Sequence, residues 1–170
     1  MKKSTRPKIK VKWDAIDWFL EGTGFVVLLL LFGLPAYFYK ELPVTIPVHH
    51  GFYGTPDNFS RKGMIWILPV TGLVIYIGLA ILNRFPHIFN YPVEITHENA
   101  REQYKKAGRM IRLLNTIVIV SFCYITYATI MTAKHNENGV GNFFIPVFIV
   151  LIFIVMGVYL YKFSRTKSEK

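Results

Sequence analysis

Four long apolar runs govern what this chain can fold into. They lie at roughly 22–39, 64–82, 110–132 and 142–161. At about 1.5 Å of rise per residue, a helix of this length crosses a hydrocarbon core about 30 Å thick. A chain of 170 residues has too little interior to bury four such helices on every side. Lipid solvates them instead, and each helix satisfies its own backbone. The expectation is an all-α integral membrane four-helix bundle. Trp18, Tyr37, Tyr39, Trp66, Tyr159 and Tyr161 mark run ends, where amphipathic rings favour the membrane–water boundary. Pro69 and Pro146 fall in first turns, where a missing N–H costs little. Pro35, near the end of the first run, is expected to kink or end it.

The net charge of +10 is distributed along the chain in a way that sets topology. Of the 20 lysines and arginines, 16 lie before the first run, between the second and third, at the edge of the third or after the fourth. Four, Lys40, Arg61, Lys62 and Lys134, lie on the other side. This imbalance places both termini in the cytoplasm. The basic start is followed by Asp14, Asp17 and Glu21 before the run continues to Tyr39, which reads as an uncleaved first span rather than a removed signal. The resulting segments are a basic N-terminus with an interfacial helix (1–21), span one, an outward loop and span two (22–82), a cytoplasmic loop (83–109), spans three and four (110–162), and a basic tail (163–170). The expected location is a bacterial cytoplasmic membrane, with the lipid bilayer as first partner and no nucleic acid, since no recognised module accompanies the charge.

Asp14, Asp17 and Glu21 recur at helical spacing and form an acidic stripe beside Trp13, Ile16 and Leu20. This pattern predicts a short amphipathic helix at the cytoplasmic surface whose acids pair with the basic second loop. In that loop Thr96 is placed to cap a helix that runs through Glu102 and Lys106, a favourable i,i+4 pair, into the third span. Such a charged face is either solvated or a docking surface for a cytoplasmic regulator.

The outward loop from Leu42 to Lys62 carries the densest information. Pro43 and Pro47 hold its first part extended. Gly54-Thr55-Pro56-Asp57 is turn chemistry, and Phe52, Tyr53 and Phe59 are expected to fold back onto the span ends. His49, His50 and Asp57 are the candidate ligand-binding residues. Two imidazoles and a carboxylate can hold a divalent ion, but adjacent histidines in an extended segment point to opposite faces. The simpler expectation is that His49 bonds the turn through Asp57 and orders the loop, and no metal or cofactor is assigned.

The same loop resembles the domain of unknown function 1648 found in SdpI-like membrane proteins. The family pattern of Leu-Pro, Ile-Pro, His, Gly-x-Pro-Asp, aromatic and Lys is met at matching spacing by Leu42-Pro43, Ile46-Pro47, His49, Gly54, Pro56-Asp57, Phe59 and Lys62. His50 stands where family members usually carry an aromatic ring. The resemblance covers about the first half of the chain, and the second SdpI-type region does not follow. It implies a membrane fold and, by the family's known immunity and signalling roles, contact with an envelope peptide outside and a regulator inside. It transfers no catalytic residue.

Phosphate loops, nucleophile elbows, zinc helices and cysteine clusters are missing from the sequence, and Cys123 lies alone in an apolar run. The functional expectation is a non-enzymatic envelope sensor or SdpI-like immunity and signalling protein. The alternatives are an accessory subunit of a larger membrane complex and a small oligomeric channel.

Overall fold

The computed structural model of the chain describes residues 6–135 and 139–165. Its elements are α1 (Ala15–Phe38), the strands β1 (Thr45–His50) and β2 (Pro56–Arg61), then α2 (Ile67–Leu82), α3 (Ala100–His135) and α4 (Phe144–Ser164). A 3-10 turn, Lys62–Trp66, leads into α2, and another, Pro86–Ile88, follows it. All four helices are long and apolar enough to cross a membrane, counting the Lys62–Trp66 turn with α2.

α3 is the axis of the bundle. α1, α2 and α4 all pack against it, α1 most extensively, while α2 and α4 make little contact with each other. With 36 residues, α3 is about 54 Å long at the usual helical rise. That is longer than a hydrocarbon core is thick, and the first turns of α3 stand among charged groups. Mid-bundle, Leu28 and Leu31 of α1 pack on Ile119 of α3. Toward the hairpin, Leu42, Ile46, Ile65 and Ile130 form a second cluster. At the opposite end Ile95, Ala100 and Tyr104 form a third, onto which the N-terminal Ile9 and Val11 pack.

Several local expectations change. The segment expected to lie on the membrane surface is the start of α1 itself, since Ala15–Phe38 is one continuous helix. Asp14 is its N-cap: the carboxylate accepts from the Ile16 and Asp17 amides, and Asp17 returns the bond to the Asp14 amide. That reciprocal box starts the helix seven residues before the apolar run. Pro35 is buried inside α1, which continues through it to Phe38. Pro69 and Pro146 each occupy the third position of their helices, as the missing N–H predicts. The first loop is a two-stranded antiparallel hairpin, so the molecule is mostly helical rather than wholly so. Thr96 and Asn99 bond reciprocally just before α3, and the Thr96 carbonyl accepts from the Ala100 amide.

Candidate functional site

The hairpin is tied down at its base, its face and its tip. At the base, Lys62 Nζ donates to the carbonyls of Tyr39 and Leu42, each at 3.2 Å, and lies over the Tyr39 ring. The lysine that ends the loop motif thereby closes the connection between α1 and α2. On the face, Ile46 is fully buried against Ile130 of α3. At the tip, three glycines with positive φ meet: Gly54, Gly139 and Gly141. The Val140 amide donates to the Gly54 carbonyl at 3.0 Å. A Cβ on Gly54 would lie 2.2 Å from the Gly141 oxygen, and one on Gly139 would lie 2.2 Å from the Gly54 oxygen. Only residues without a side chain allow these two backbones to approach so closely.

The strand register runs from Thr45↔Arg61 to His50↔Pro56, with irregularities between Pro47 and His49 and between His49 and His50. Pro47 cannot donate to the ladder, and such breaks re-aim side chains. The two histidines separate accordingly. His49 Nδ1 lies 2.6 Å from Asp57 Oδ1, both side chains being substantially exposed. His50 turns inward, and its Nε2 is buried without a hydrogen-bonding partner. Burial, and next the neighbouring His49, push the His50 imidazole below its ordinary range. The structure therefore brings His49 and Asp57 together and leaves His50 apart. Among the described residues, no group of three His, Cys, Asp or Glu side chains is arranged around a common metal position. Phe52 and Tyr53 do not fold back: they are 67% and 72% exposed and pack edge to face on one another. Phe59 is exposed as well. The turn closes through backbone bonds between Gly51 and both Thr55 and Gly54, which aim the two rings away from the bundle.

Beneath the hairpin lies a cavity of about 300 Å³. Its walls come from β1, the first turns of α2 and α4, and the face of α3 that carries Thr126 and Thr129. The lining is apolar except for the histidines and these threonines. Thr126 Oγ1 is buried and, like His50 Nε2, has no partner. In the sequence Thr126 is one of several threonines of the third apolar run, and nothing in its spacing singles it out. The usable signal was His50, standing where the family pattern has an aromatic ring.

The other end of the bundle is built differently. Asp17 Oδ1 accepts from Arg109 Nε at 3.2 Å and from Arg112 Nη1 at 3.1 Å. Asp17 and Arg112 are both buried, with side chains 2% and 9% exposed. Arg112 also lies over the Trp13 ring and 3.4 Å from Glu21 Oε2, a charge contact whose alignment falls short of a hydrogen bond. Tyr76 OH donates to Glu21 Oε1 at 2.9 Å. Asp14 bonds Lys105 and Arg109, and the Lys105 ammonium above all holds its carboxyl well below the usual carboxylate range. The expected pairing of the acidic stripe with the second loop is thus present through Lys105 and Arg109, which stand on the first turns of α3, and Arg112 joins them from the edge of the third apolar run. Arg6 donates to the carbonyls of His87 and Phe89, and Tyr104 OH to that of Pro7, fastening the N-terminal segment to the α2–α3 connection.

Comparison with known proteins agrees with the loop motif. The model of the family described as "Domain of unknown function (DUF1648)" matches residues 26–73, from within α1 through the hairpin to the first turns of α2. An uncharacterized protein of Archaeoglobus fulgidus is 23% identical over 141 residues, covering 75% of this chain and 77% of that protein. No solved structure matches. The similarity to the 1648 domain therefore covers the part of the chain that forms the roof and one wall of the cavity.

Proposed function

We propose that this chain is a non-enzymatic, multi-pass membrane receptor that takes up a ligand beneath the hairpin, in an envelope-sensing or SdpI-like immunity role. One observation carries the reading: His50 Nε2 and Thr126 Oγ1 are buried at a cavity and lack partners. A buried polar atom without a hydrogen bond costs about 1–3 kcal/mol. Such atoms are few in native structures, and beside a cavity a bound group is one way of completing them. The lysine and arginine imbalance supports an outward-facing hairpin. The charged end would then face the cytoplasm, where the surface around Glu102 and Lys106 suits a regulator.

The channel alternative gains no support from a single chain, because Leu28, Leu31 and Ile119 fill the bundle between its two polar ends. The receptor reading is tested by thermal unfolding of the purified protein in nanodiscs, with and without envelope extract or culture supernatant from the host. A rise in midpoint for the wild type that disappears in Thr126→Val supports it. No shift with either fraction counts against it.

A further inference from the structure

The cavity's position and lining narrow the class of its ligand, an inference that rests on the binding reading above. α2 and α4 both lie on α3 yet make little contact with each other. The cavity is walled by the first turn of each, Ile67 and Leu68 on one side and Phe144 and Ile145 on the other, with Ile125 and Thr126 of α3 as its floor. The gap between α2 and α4 therefore leads from the cavity toward the lipid-facing side of the bundle, while the hairpin roofs the end. The first turns of spans lie where headgroups give way to acyl chains, and the neighbouring Tyr39 and Trp66 are residues of that boundary.

The lining is also chemically selective. Its unpartnered groups are one imidazole nitrogen and one hydroxyl. Nearby charges are already engaged: His49 with Asp57, Lys62 with two carbonyls, and Lys134 with Glu41. A phosphate or carboxylate would enter this apolar space without a counter-ion, at a desolvation cost that a neutral head avoids. A cavity of about 300 Å³ is at the low end for small-molecule sites. It has room for a polar head and the first carbons of one chain, leaving the rest of that chain in the gap between the helices.

We propose that the ligand is an uncharged single-chain amphiphile, bearing hydroxyl or amide groups, that enters from the bilayer between α2 and α4 and hydrogen-bonds to His50 and Thr126.

The test uses the full chain in phosphatidylcholine nanodiscs and two diazirine-bearing probes with the same acyl chain: a monoacylglycerol and a lysophosphatidylglycerol. The monoacylglycerol should give adducts within 64–68, 125–129 and 144–145, displaced by unlabelled monoolein. Thr126→Val, which removes the hydroxyl and keeps the shape, should lower this labelling about fivefold, as expected for one neutral hydrogen bond. His50→Phe, which restores the family's aromatic ring, should lower it as well. If His50→Phe does not fold, Thr126→Val decides alone. Equal labelling by the phosphate-bearing probe, or monoacylglycerol labelling indifferent to Thr126→Val, overturns the proposal. If supernatant shifts the wild-type midpoint, Thr126→Val abolishes that shift and neither probe labels the cavity, the site stands and the ligand class falls, with a secreted peptide in its place. Absence of both shift and labelling removes the receptor reading too.

Discussion

The two ends of the bundle meet the same need, fixing flexible connections to α3, by opposite means. The charged end uses side chains: three acids on and before α1 interlock with Lys105, Arg109 and Arg112, and the most buried of them, Asp17, serves both the helix cap and two guanidinium groups. The hairpin end uses backbone. Glycines let the turn lie against the α3–α4 connection, and Lys62 grips two carbonyls. The difference appears in what is left over. At the charged end each of the three acids has a cationic partner, yet Arg112 Nε and, on the same helix, Gln103 Oε1 and Asn115 Oδ1 are buried without hydrogen bonds, and a cavity of about 400 Å³ lies against Asp17, Glu21 and Arg112. The hairpin end closes over a cavity walled mostly by apolar side chains, and its two unmet atoms belong to an imidazole and a hydroxyl rather than to a charge network.

The contrast can be broken first at Asp17. Asp17→Ala takes the Asp17 hydrogen bond from buried Arg112 and leaves it the looser Glu21 contact, and loss of one partner of a buried pair costs about 3–5 kcal/mol. Thermal unfolding in detergent should show a large fall in midpoint, and adding Arg112→Leu should recover part of it. At the other end, Gly139→Ala places a Cβ against the Gly54 carbonyl at a backbone angle that alanine resists, for roughly 1–3 kcal/mol. Hydrogen exchange should quicken in the β1 and β2 amides while those of α1 and mid-α3 stay protected. Equal loosening of the whole bundle would erase the distinction between the ends.

Acid should act next, and only locally. The His50 imidazole is held below its unfolded value of about 6.5, so the folded hairpin binds this proton less readily than the unfolded chain. Its contribution is fully present above about pH 6.5 and is lost as pH falls below that value. Exchange in β1, corrected for intrinsic rates, should rise as pH drops from about 7.5 to about 5, and His50→Phe should flatten the response. The smallest effect belongs to Asp57→Ala. Its contact with His49 is solvent-exposed, and such pairs contribute at most about 1 kcal/mol. A midpoint change near zero, with ligand binding intact, would make that pair a local ornament of the turn.

How much of this was legible in the sequence follows from how local each feature is. The helices were legible because an apolar run needs only its own residues to declare itself. The acidic stripe announced a basic partner, but Arg112 sits at the edge of an apolar run, and only the packing of α1 on α3 selects it for Asp17. Pro43, Pro47 and the Gly54–Asp57 turn announced an extended, reversing loop. Strand pairing through a proline, with a displaced register at His49, depends on contacts across the loop and was not legible. The direction of Phe52 and Tyr53 was misjudged for the same reason: backbone bonds within the turn, rather than their apolar character, decide where they point. The His49–Asp57 contact was anticipated from turn geometry. Thr126 was one of several span threonines until four separate elements met around it.

The central place of α3 bears on how the molecule is made. A ribosome delivers α1, the hairpin and α2 before the helix that holds them exists. Until α3 emerges, Asp17 lacks Arg109 and Arg112, Ile46 lacks the Ile130 that covers it, and α1 and α2 have only their own slight contact. Assembly is therefore a late event in synthesis, concentrated in the moment the third helix is complete. A nascent chain arrested after Leu82 would present quality-control proteases with a loose pair of helices rather than half of a finished bundle.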